Sequence, residues 1–185
     1  MDTTAEGRYE IYVVAADGGA PRNITHDPAD DINPSWSRDG RWIYFASNRG
    51  GRYEVWKAPK DGSEAVQVTR SGGLRLYESP DGKYVYYTKH VQEGLFRMPA
   101  EGGEEVQVLP VSLGFGMAAK GVYFMPDVRT IRFLDTATGK VSTLVALEKP
   151  AVPAIIVGVS PDDAYVVWAQ VDRDTQDLML VEGFR

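Results

Sequence analysis

The densest group of potential ligand atoms in the sequence is the segment from His26 to Asn33, which also contains Asp27, Asp30 and Asp31. Carboxylate and amide oxygens are the ligands that Ca²⁺ prefers in proteins. The spacing differs from that of an EF-hand loop, which needs a central glycine and a distal glutamate. The segment therefore has two interpretations. The favoured one is a solvated acidic loop with turn-forming aspartates, and the weaker one is a calcium site at Asp27, Asp30 and Asp31.

Residues suited to nucleophilic or general-base catalysis are sparse. The two histidines, His26 and His90, lie in different repeats, and no Gly-x-Ser-x-Gly sequence occurs. The chain has no cysteine, which excludes a thiol nucleophile and thiolate metal sites. The sequence therefore predicts a protein that is not an enzyme and that needs no cofactor, with calcium as the single low-ranked exception.

Two turn sequences, which we call markers, recur about every forty residues. They indicate the strands and turns that must position these residues. The first marker recurs at spacings of 42, 39 and 39 residues as Ser37-Arg38-Asp39-Gly40, Ser79-Pro80-Asp81-Gly82, Ala118-Ala119-Lys120-Gly121 and Ser160-Pro161-Asp162-Asp163. The second recurs at spacings of 44, 40, 37 and 44 residues as Asp17-Gly18, Asp61-Gly62, Glu101-Gly102, Thr138-Gly139 and Glu182-Gly183. Such a period is typical of four-stranded propeller blades. The aspartates of the first marker are predicted to form turns rather than a metal or catalytic site.

Apolar, aromatic runs follow each copy of the first marker, as in Trp42–Ala46 and Tyr84–Tyr87. Their near-continuous apolarity predicts strands that are covered on both faces, as in a blade between two neighbouring blades. The predicted fold is all-β: a β-propeller of four-stranded antiparallel blades, about four blades in this chain, with almost no α-helix. The predicted boundaries are a partial blade at 9–25, blades at 33–69, 74–109 and 112–145, and a partial blade at 154–182.

The strand count leaves incomplete blades at both ends. The last blade lacks an outer strand, which the segment Pro21–Thr25 is predicted to supply, and the strand Tyr9–Val14 is then surplus. One hypothesis is that the chain is part of a larger propeller. The alternatives are a four-bladed ring closed by Pro21–Thr25, and a homodimer whose two chains form a composite ring, since unpaired strand edges favour association.

Linkers between one blade's outer strand and the next blade's inner strand are expected to face the channel mouth, where ligands bind. The first linker is the acidic segment from His26 to Asn33. The later linkers add Arg75, Tyr77 and Phe115, residue types that interfaces favour. The candidate binding residues are therefore His26, Asp27, Asp30, Asp31, Asn33, Arg75, Tyr77 and Phe115. Blade packing is the competing explanation for Tyr77 and Phe115.

Charge and hydropathy exclude two classes of partner. The formal net charge is −6 with a pI of about 5.0, and no Lys/Arg cluster occurs, so nucleic acid is not an expected partner. No apolar run reaches 18 residues, so no membrane-spanning helix is expected. The segment Met1–Glu6 is polar and acidic and is not predicted to be a signal peptide.

The run Pro34–Arg49, continued by Tyr53–Trp56, Asp61-Gly62 and Gln67–Thr69, resembles the repeat of the TolB-like β-propeller family. The resemblance covers nearly the whole chain and is weakest at Ala118–Gly121, where both the Ser-Pro and the Asp are lost. It implies radially arranged blades, often six to eight, around a central channel. Family members include a periplasmic protein of the Tol–Pal system and propellers that gate prolyl-oligopeptidase-like enzymes. It favours an extracytoplasmic location.

Because fold does not determine function, three functions stay open. The favoured one is a non-catalytic binding module that holds a protein or peptide at the channel mouth. The second is a propeller that gates a prolyl-oligopeptidase-like hydrolase whose catalytic domain lies outside this chain. The third is a purely structural propeller, for which no ligand would raise the unfolding temperature.

Overall fold

Antiparallel strands follow one another along the chain in the computed structural model, which describes residues 8–90, 93–152, 157–171 and 176–179. No residue in these ranges is helical, so they contain no helix that is long and apolar enough to cross a membrane. The predicted fold class is confirmed: the chain is an all-β protein built from several four-stranded antiparallel sheets of the propeller type.

Seventeen strands in the described residues form five sheets. The N-terminal pair consists of β1 (Tyr12–Val13) and β2 (Arg22–Asn23). Blade 1 consists of β3 (Asp31–Trp36), β4 (Trp42–Ser47), β5 (Glu54–Pro59) and β6 (Val66–Gln67). Blade 2 consists of β7 (Arg75–Glu78), β8 (Tyr84–Thr88), β9 (Leu95–Pro99) and β10 (Val106–Leu109). Blade 3 consists of β11 (Gly114–Ala118), β12 (Gly121–Asp127), β13 (Thr130–Asp135) and β14 (Val141–Ala146). The C-terminal sheet consists of β15 (Gly158–Val159), β16 (Val166–Val171) and β17 (Gln176–Met179).

At the N-terminal end, the segment Pro21–Thr25 contains β2, which pairs with β1 in the described residues. The two strands are joined by a short loop, and the Ile24 amide donates to the Ile11 carbonyl at 2.9 Å. Closure of a ring by Pro21–Thr25 stays a prediction. The predicted marker Glu182-Gly183 and the predicted blade start at residue 154 lie outside the described residues.

The aspartates of the first turn marker form turns, as predicted. The serine hydroxyl donates to the aspartate Oδ1 in three copies: Ser37 to Asp39 at 2.7 Å, Ser79 to Asp81 at 2.7 Å and Ser160 to Asp162 at 2.6 Å. The Arg41 amide and the Ser37 hydroxyl lower the pKa of Asp39 to about 2. The left-handed turn residue is glycine in the first two copies and Asp163 (φ 57°) in the last, a position that aspartate tolerates.

The chain divides into two compact units, each with its own apolar core. The first comprises the described residues up to 78 together with 82–90 and 96–106, and the second comprises 79–81, 93–95 and the described residues from 107 onward. In the first unit, Ile11 and Ile24 pack with Ile43, Phe45 and Ala58. A second cluster joins residues of blades 1 and 2: Tyr44, Val55, Leu76, Val85, Tyr87, Met98 and Ala100. This packing of sheet on sheet explains the near-continuous apolarity of β4 and β8.

Candidate functional site

The acidic linker that follows β2 is organised by Arg49. The Arg49 guanidinium lies 2.5 Å from Asp27 Oδ2 and 3.1 Å from Asp31 Oδ1. It also stacks over the rings of Phe45 and Trp56, at 5.3 and 4.6 Å from their centroids. Two ion pairs thus attach the linker to the end of blade 1, and two cation–π contacts within blade 1 hold the Arg49 side chain.

The linker carboxylates of the calcium interpretation have protein partners in the structure, and calcium binding itself stays a prediction. The described residues contain no group of three or more His, Cys, Asp or Glu side chains that could hold a metal ion. Asp27 Oδ1 instead accepts the Ala29 amide at 2.9 Å, as in a turn, and Arg49 supplies the positive charge. Asp31 is fully buried, and burial raises the pKa of its carboxyl, with the Asp27 charge acting in the same direction. Asp31 therefore has a structural position and offers no surface to a partner.

Asp30 and Asn48 hold the other side of the linker. The Asp30 amide donates to Asn48 Oδ1 at 2.9 Å, and the Asn48 side-chain amide donates to Asp30 Oδ2 at 3.4 Å. The Tyr9 amide donates to Asp30 Oδ1 at 3.2 Å, and the Tyr9 carbonyl accepts the Asp31 amide at 2.8 Å. These bonds fix the backbone of the linker, so its exposed groups are preorganised.

Asn33 connects the linker after β2 to the linker before β7. It adopts a left-handed conformation with φ 54°, and its side-chain amide donates to the Leu74 carbonyl at 2.9 Å. Two residues later, the Ser35 hydroxyl donates to the Leu76 carbonyl at 2.8 Å. Asn33 therefore positions the start of β3 beside the start of β7, where Arg75 lies.

The predicted site residues fall into two groups by exposure. His26 is exposed, and Asp27, Asp30, Asn33, Arg75 and Tyr77 are partly exposed; these six form the linker face. Among the described residues, Arg75 has no ion-pair partner. Phe115 is fully buried in the second unit, so the blade-packing explanation is the correct one for it and its proposed contact with a partner is corrected. Its burial follows from its position in β11, whose residues are mostly covered.

A buried threonine closes the end of blade 1 next to the second linker. Thr69 Oγ1 accepts the Val55 amide at 2.8 Å and donates to Glu54 Oε2 at 2.7 Å. Glu54 Oε2 also accepts the Gly72 amide at 2.9 Å, and Glu54 Oε1 pairs with Arg52 Nε at 2.6 Å. These contacts, which we call the threonine clasp, fix the turn from β6 into the second linker.

The two hydrogen bonds of Thr69 in the threonine clasp recur elsewhere in the described residues. In the N-terminal pair, Thr25 Oγ1 accepts the Ile11 amide at 3.0 Å and donates to Glu10 Oε2 at 2.6 Å, just before His26. These residues and Arg49 are not among the site residues that the sequence predicts. The signal for the clasp was present, since Arg8-Tyr9-Glu10-Ile11 returns 44 residues later as Arg52-Tyr53-Glu54-Val55, with Thr25 and Thr69 at the same spacing.

A cavity of about 390 Å³ opens beside the second linker, a volume in the range of ligand sites. Its lining includes Arg70 and Ser71 from the linker and Tyr87 and Glu105 from blade 2. The Ser71 hydroxyl donates to Glu105 Oε2 at 3.1 Å, Lys89 Nζ lies 2.5 Å from Glu105 Oε1, and the Tyr87 hydroxyl donates to the same carboxylate. These three donors outweigh burial and lower the pKa of Glu105, so the wall of the cavity carries an ionised carboxylate at neutral pH.

Three comparisons show what the chain is similar to. A family model described as the TolB beta propeller domain matches residues 1–149. The uncharacterized protein Atu1656 of Agrobacterium fabrum is 32% identical over 108 residues, which are 57% of this chain and 36% of that protein. Dipeptidyl-peptidase 5 of Porphyromonas gingivalis is 30% identical over 142 residues, which are 76% of this chain and 16% of that protein. The chain thus spans well under two thirds of the relatives it matches.

Solved structures show the same fold. The structure of TolB from Acinetobacter baumannii superposes with a TM-score of 0.71 at 16% identity, over 87% of this chain and 43% of that one. At this identity the likeness concerns the fold alone. It agrees with the four-stranded antiparallel sheets described above.

Proposed function

The chain belongs to the TolB beta propeller domain family, and from that premise we propose that it is a non-catalytic binding module that holds a protein or peptide partner on its linker face. The observation that carries the proposal is the linker face itself. Arg49, Asn48 and the threonine clasps fix the backbone at this end of the first unit, and His26, Arg75 and Tyr77 are exposed or partly exposed there. A rigid surface with arginine and tyrosine loses little entropy on binding.

The chemistry of the linker face supports a partner of mixed character rather than a small charged ligand. The negative charges of Asp27 and Asp31 are neutralised in part by Arg49, whereas Arg75 has no ion-pair partner among the described residues. An acidic or carbonyl-rich group of the partner therefore suits Arg75, and an apolar or aromatic group suits Tyr77. The adjacent cavity offers space for a further side chain of the same partner, since the Glu105 charge in its wall is already paired with Lys89. We place this activity outside the cytoplasm on the strength of the family resemblance.

Selection from a displayed library of random peptides against the whole chain tests the proposal. We expect peptides that bind saturably, and a loss of affinity of about tenfold on Arg75→Ala, since a charge-assisted hydrogen bond is removed. The matched control is Arg41→Ala in the turn between β3 and β4, at the opposite end of β3, which should leave the affinity unchanged. Failure to select any saturable peptide, or an equal loss with both variants, would overturn the proposal.

A gating role in a hydrolase is the second candidate function, favoured by the similarity to dipeptidyl-peptidase 5 over 76% of this chain. In that case the partner of the linker face would be a catalytic domain of the same polypeptide. The sequence of the full-length protein distinguishes the two candidates. An adjoining domain with a Gly-x-Ser-x-Gly sequence would favour gating, and an adjoining sensor or kinase module would favour partner binding.

A further inference from the structure

The turn between β5 and β6 in blade 1 is closed by an arginine from the preceding sheet. Arg22 donates from Nη1 to the Asp61 carbonyl at 2.5 Å and from Nη2 to the Lys60 carbonyl. The two sheets lie close together there, since a Cβ atom added to Gly62 would be 3.1 Å from Ile24 Cα and 3.5 Å from Arg22 Nη1. A guanidinium therefore occupies the junction between the N-terminal pair and blade 1 at this turn.

The corresponding junction between blades 1 and 2 has no arginine at this position. The 44-residue repeat places Val66 where Arg22 lies, and the 40-residue repeat places Glu101-Gly102 where Asp61-Gly62 lie. The Val66 side chain has no hydrogen-bond donor. In the described part of the chain, no atom beyond the adjoining residues lies within 4 Å of a Cβ atom added to Gly102. This junction is therefore open at the turn between β9 and β10.

The cavity beside the second linker extends into this opening. Its lining at this end consists of Gln67 and Val68 from blade 1 and Glu101, Gly102 and Gly103 from blade 2. Glu101 keeps the carboxylate that Asp61 has near Arg22, and its side chain is exposed. The turn of blade 2 thus offers the same kinds of acceptor, a carboxylate and backbone carbonyls, that surround the guanidinium one blade earlier.

The charges around the cavity leave the Glu101 carboxylate open to a cation. Glu105 is paired with Lys89 Nζ at 2.5 Å. Arg41 lies near Glu101, but its Nε pairs with Asp39 Oδ2 at 2.5 Å, and this contact, more than the Glu101 charge, raises the pKa of Arg41. Among the described residues, Glu101 has no ion-pair partner.

We propose that the cavity binds an arginine side chain of a protein or peptide partner. The guanidinium donates to the carbonyl oxygens of Ala100 and Glu101, as Arg22 does one blade earlier, and pairs with the Glu101 carboxylate. Arginine suits the site better than lysine, because its planar fork of donors can bond two carbonyls at once. Arg70 lines the linker end of the cavity, so its charge directs the guanidinium to the turn. The proposal rests on the function proposed above only in that a partner presents the arginine.

The test titrates N-acetyl-arginine methylamide into the isotope-labelled whole chain and follows the amide chemical shifts by NMR. We expect saturable binding, with the largest shift changes at residues 66–71 and 100–105. The citrulline analogue has nearly the same shape without the charge and should bind at least tenfold more weakly. Because the probe carries only the side chain at issue, its binding is independent of the peptide selection. Selected peptides without probe binding would overturn this inference alone, and probe binding without selected peptides would overturn the proposed function alone.

Three variants locate the site, with near-UV circular dichroism used to confirm that each is folded. Glu101→Gln keeps the shape and removes the charge, so probe binding should weaken about threefold. Glu104→Gln is its matched control, because Glu104 is an exposed neighbour outside the cavity lining, and it should leave the affinity unchanged. Val66 is half exposed, and Val66→Arg should place a guanidinium in the cavity as Arg22 does, which weakens probe binding at least tenfold. Absence of saturable binding, equal losses in the two glutamate variants, or undiminished binding in Val66→Arg would overturn the proposal.

Discussion

Replacing Arg49 by methionine is expected to lower the free energy of unfolding by about 3–5 kcal/mol, the range measured when one partner of a buried ion pair is removed. Methionine keeps an unbranched apolar stem but loses the charge and the guanidinium contacts over Phe45 and Trp56. Asp31, which is fully buried, and Asp27 would then share a site with no cation. Urea unfolding followed by circular dichroism at neutral pH measures the change.

Two further variants make the Arg49 result specific. Arg41→Met removes an ion pair with Asp39 that is largely exposed, so it should cost less than about 1 kcal/mol. Asp31→Asn combined with Arg49→Met should be less destabilised than the sum of the single variants, because the unpaired buried charge is gone. Equal effects of Arg49→Met and Arg41→Met, or strict additivity in the double variant, would show that Arg49 does not organise the linker.

Replacing Thr69 by valine is expected to lower the free energy of unfolding by about 3 kcal/mol. Valine has nearly the same shape, so the loss comes from hydrogen bonds. The Val55 amide loses its acceptor and Glu54 loses a donor, in a part of blade 1 where both residues are buried. Leaving buried polar groups unsatisfied costs about 1–3 kcal/mol each. The midpoint of urea unfolding checks the value.

Thr143→Val is the matched control for the threonine clasp. Thr143 lies on the exposed face of β14, where threonine and valine have similar strand propensity, so the change should be within about 0.5 kcal/mol. Thr25→Val should reproduce the effect of Thr69→Val, because Thr25 makes the same two bonds. A destabilisation by Thr69→Val no larger than that of Thr143→Val would contradict a structural role for the clasp.

The sequence was informative wherever structure depends on neighbouring residues. Asp39 and Asp81 were predicted to form turns, because a Ser-x-Asp-Gly sequence closes a hairpin through contacts two residues apart, and the structure contains those bonds. The apolar runs that follow these turns form the central strands β4 and β8. Their apolarity is also a property of neighbouring residues and could therefore be read from the sequence. A repeat also multiplies each weak local signal, so the strand order could be predicted even where Ala118–Gly121 had lost its consensus residues.

Contacts between residues that are distant in the sequence could not be predicted from it. The acidic linker carried the residue types of a calcium site, and its composition could not reveal that Arg49 lies against it from the far end of a hairpin. Phe115 and Tyr77 are both aromatic residues next to linkers, yet one is buried and the other partly exposed, since their exposure depends on which sheet packs over them. The pairing of β2 with β1 is a local feature by contrast, because a short loop joins the two strands.

Amide chemical-shift mapping by NMR tests most directly the claim that the linker face is the binding surface. The labelled chain would be titrated with a peptide selected as described above. The account predicts that the largest shift changes fall at residues 26–33 and 70–77, with smaller ones around Glu105. Changes concentrated at the turn residues 37–41 and 60–63, at the opposite end of blade 1, would contradict it.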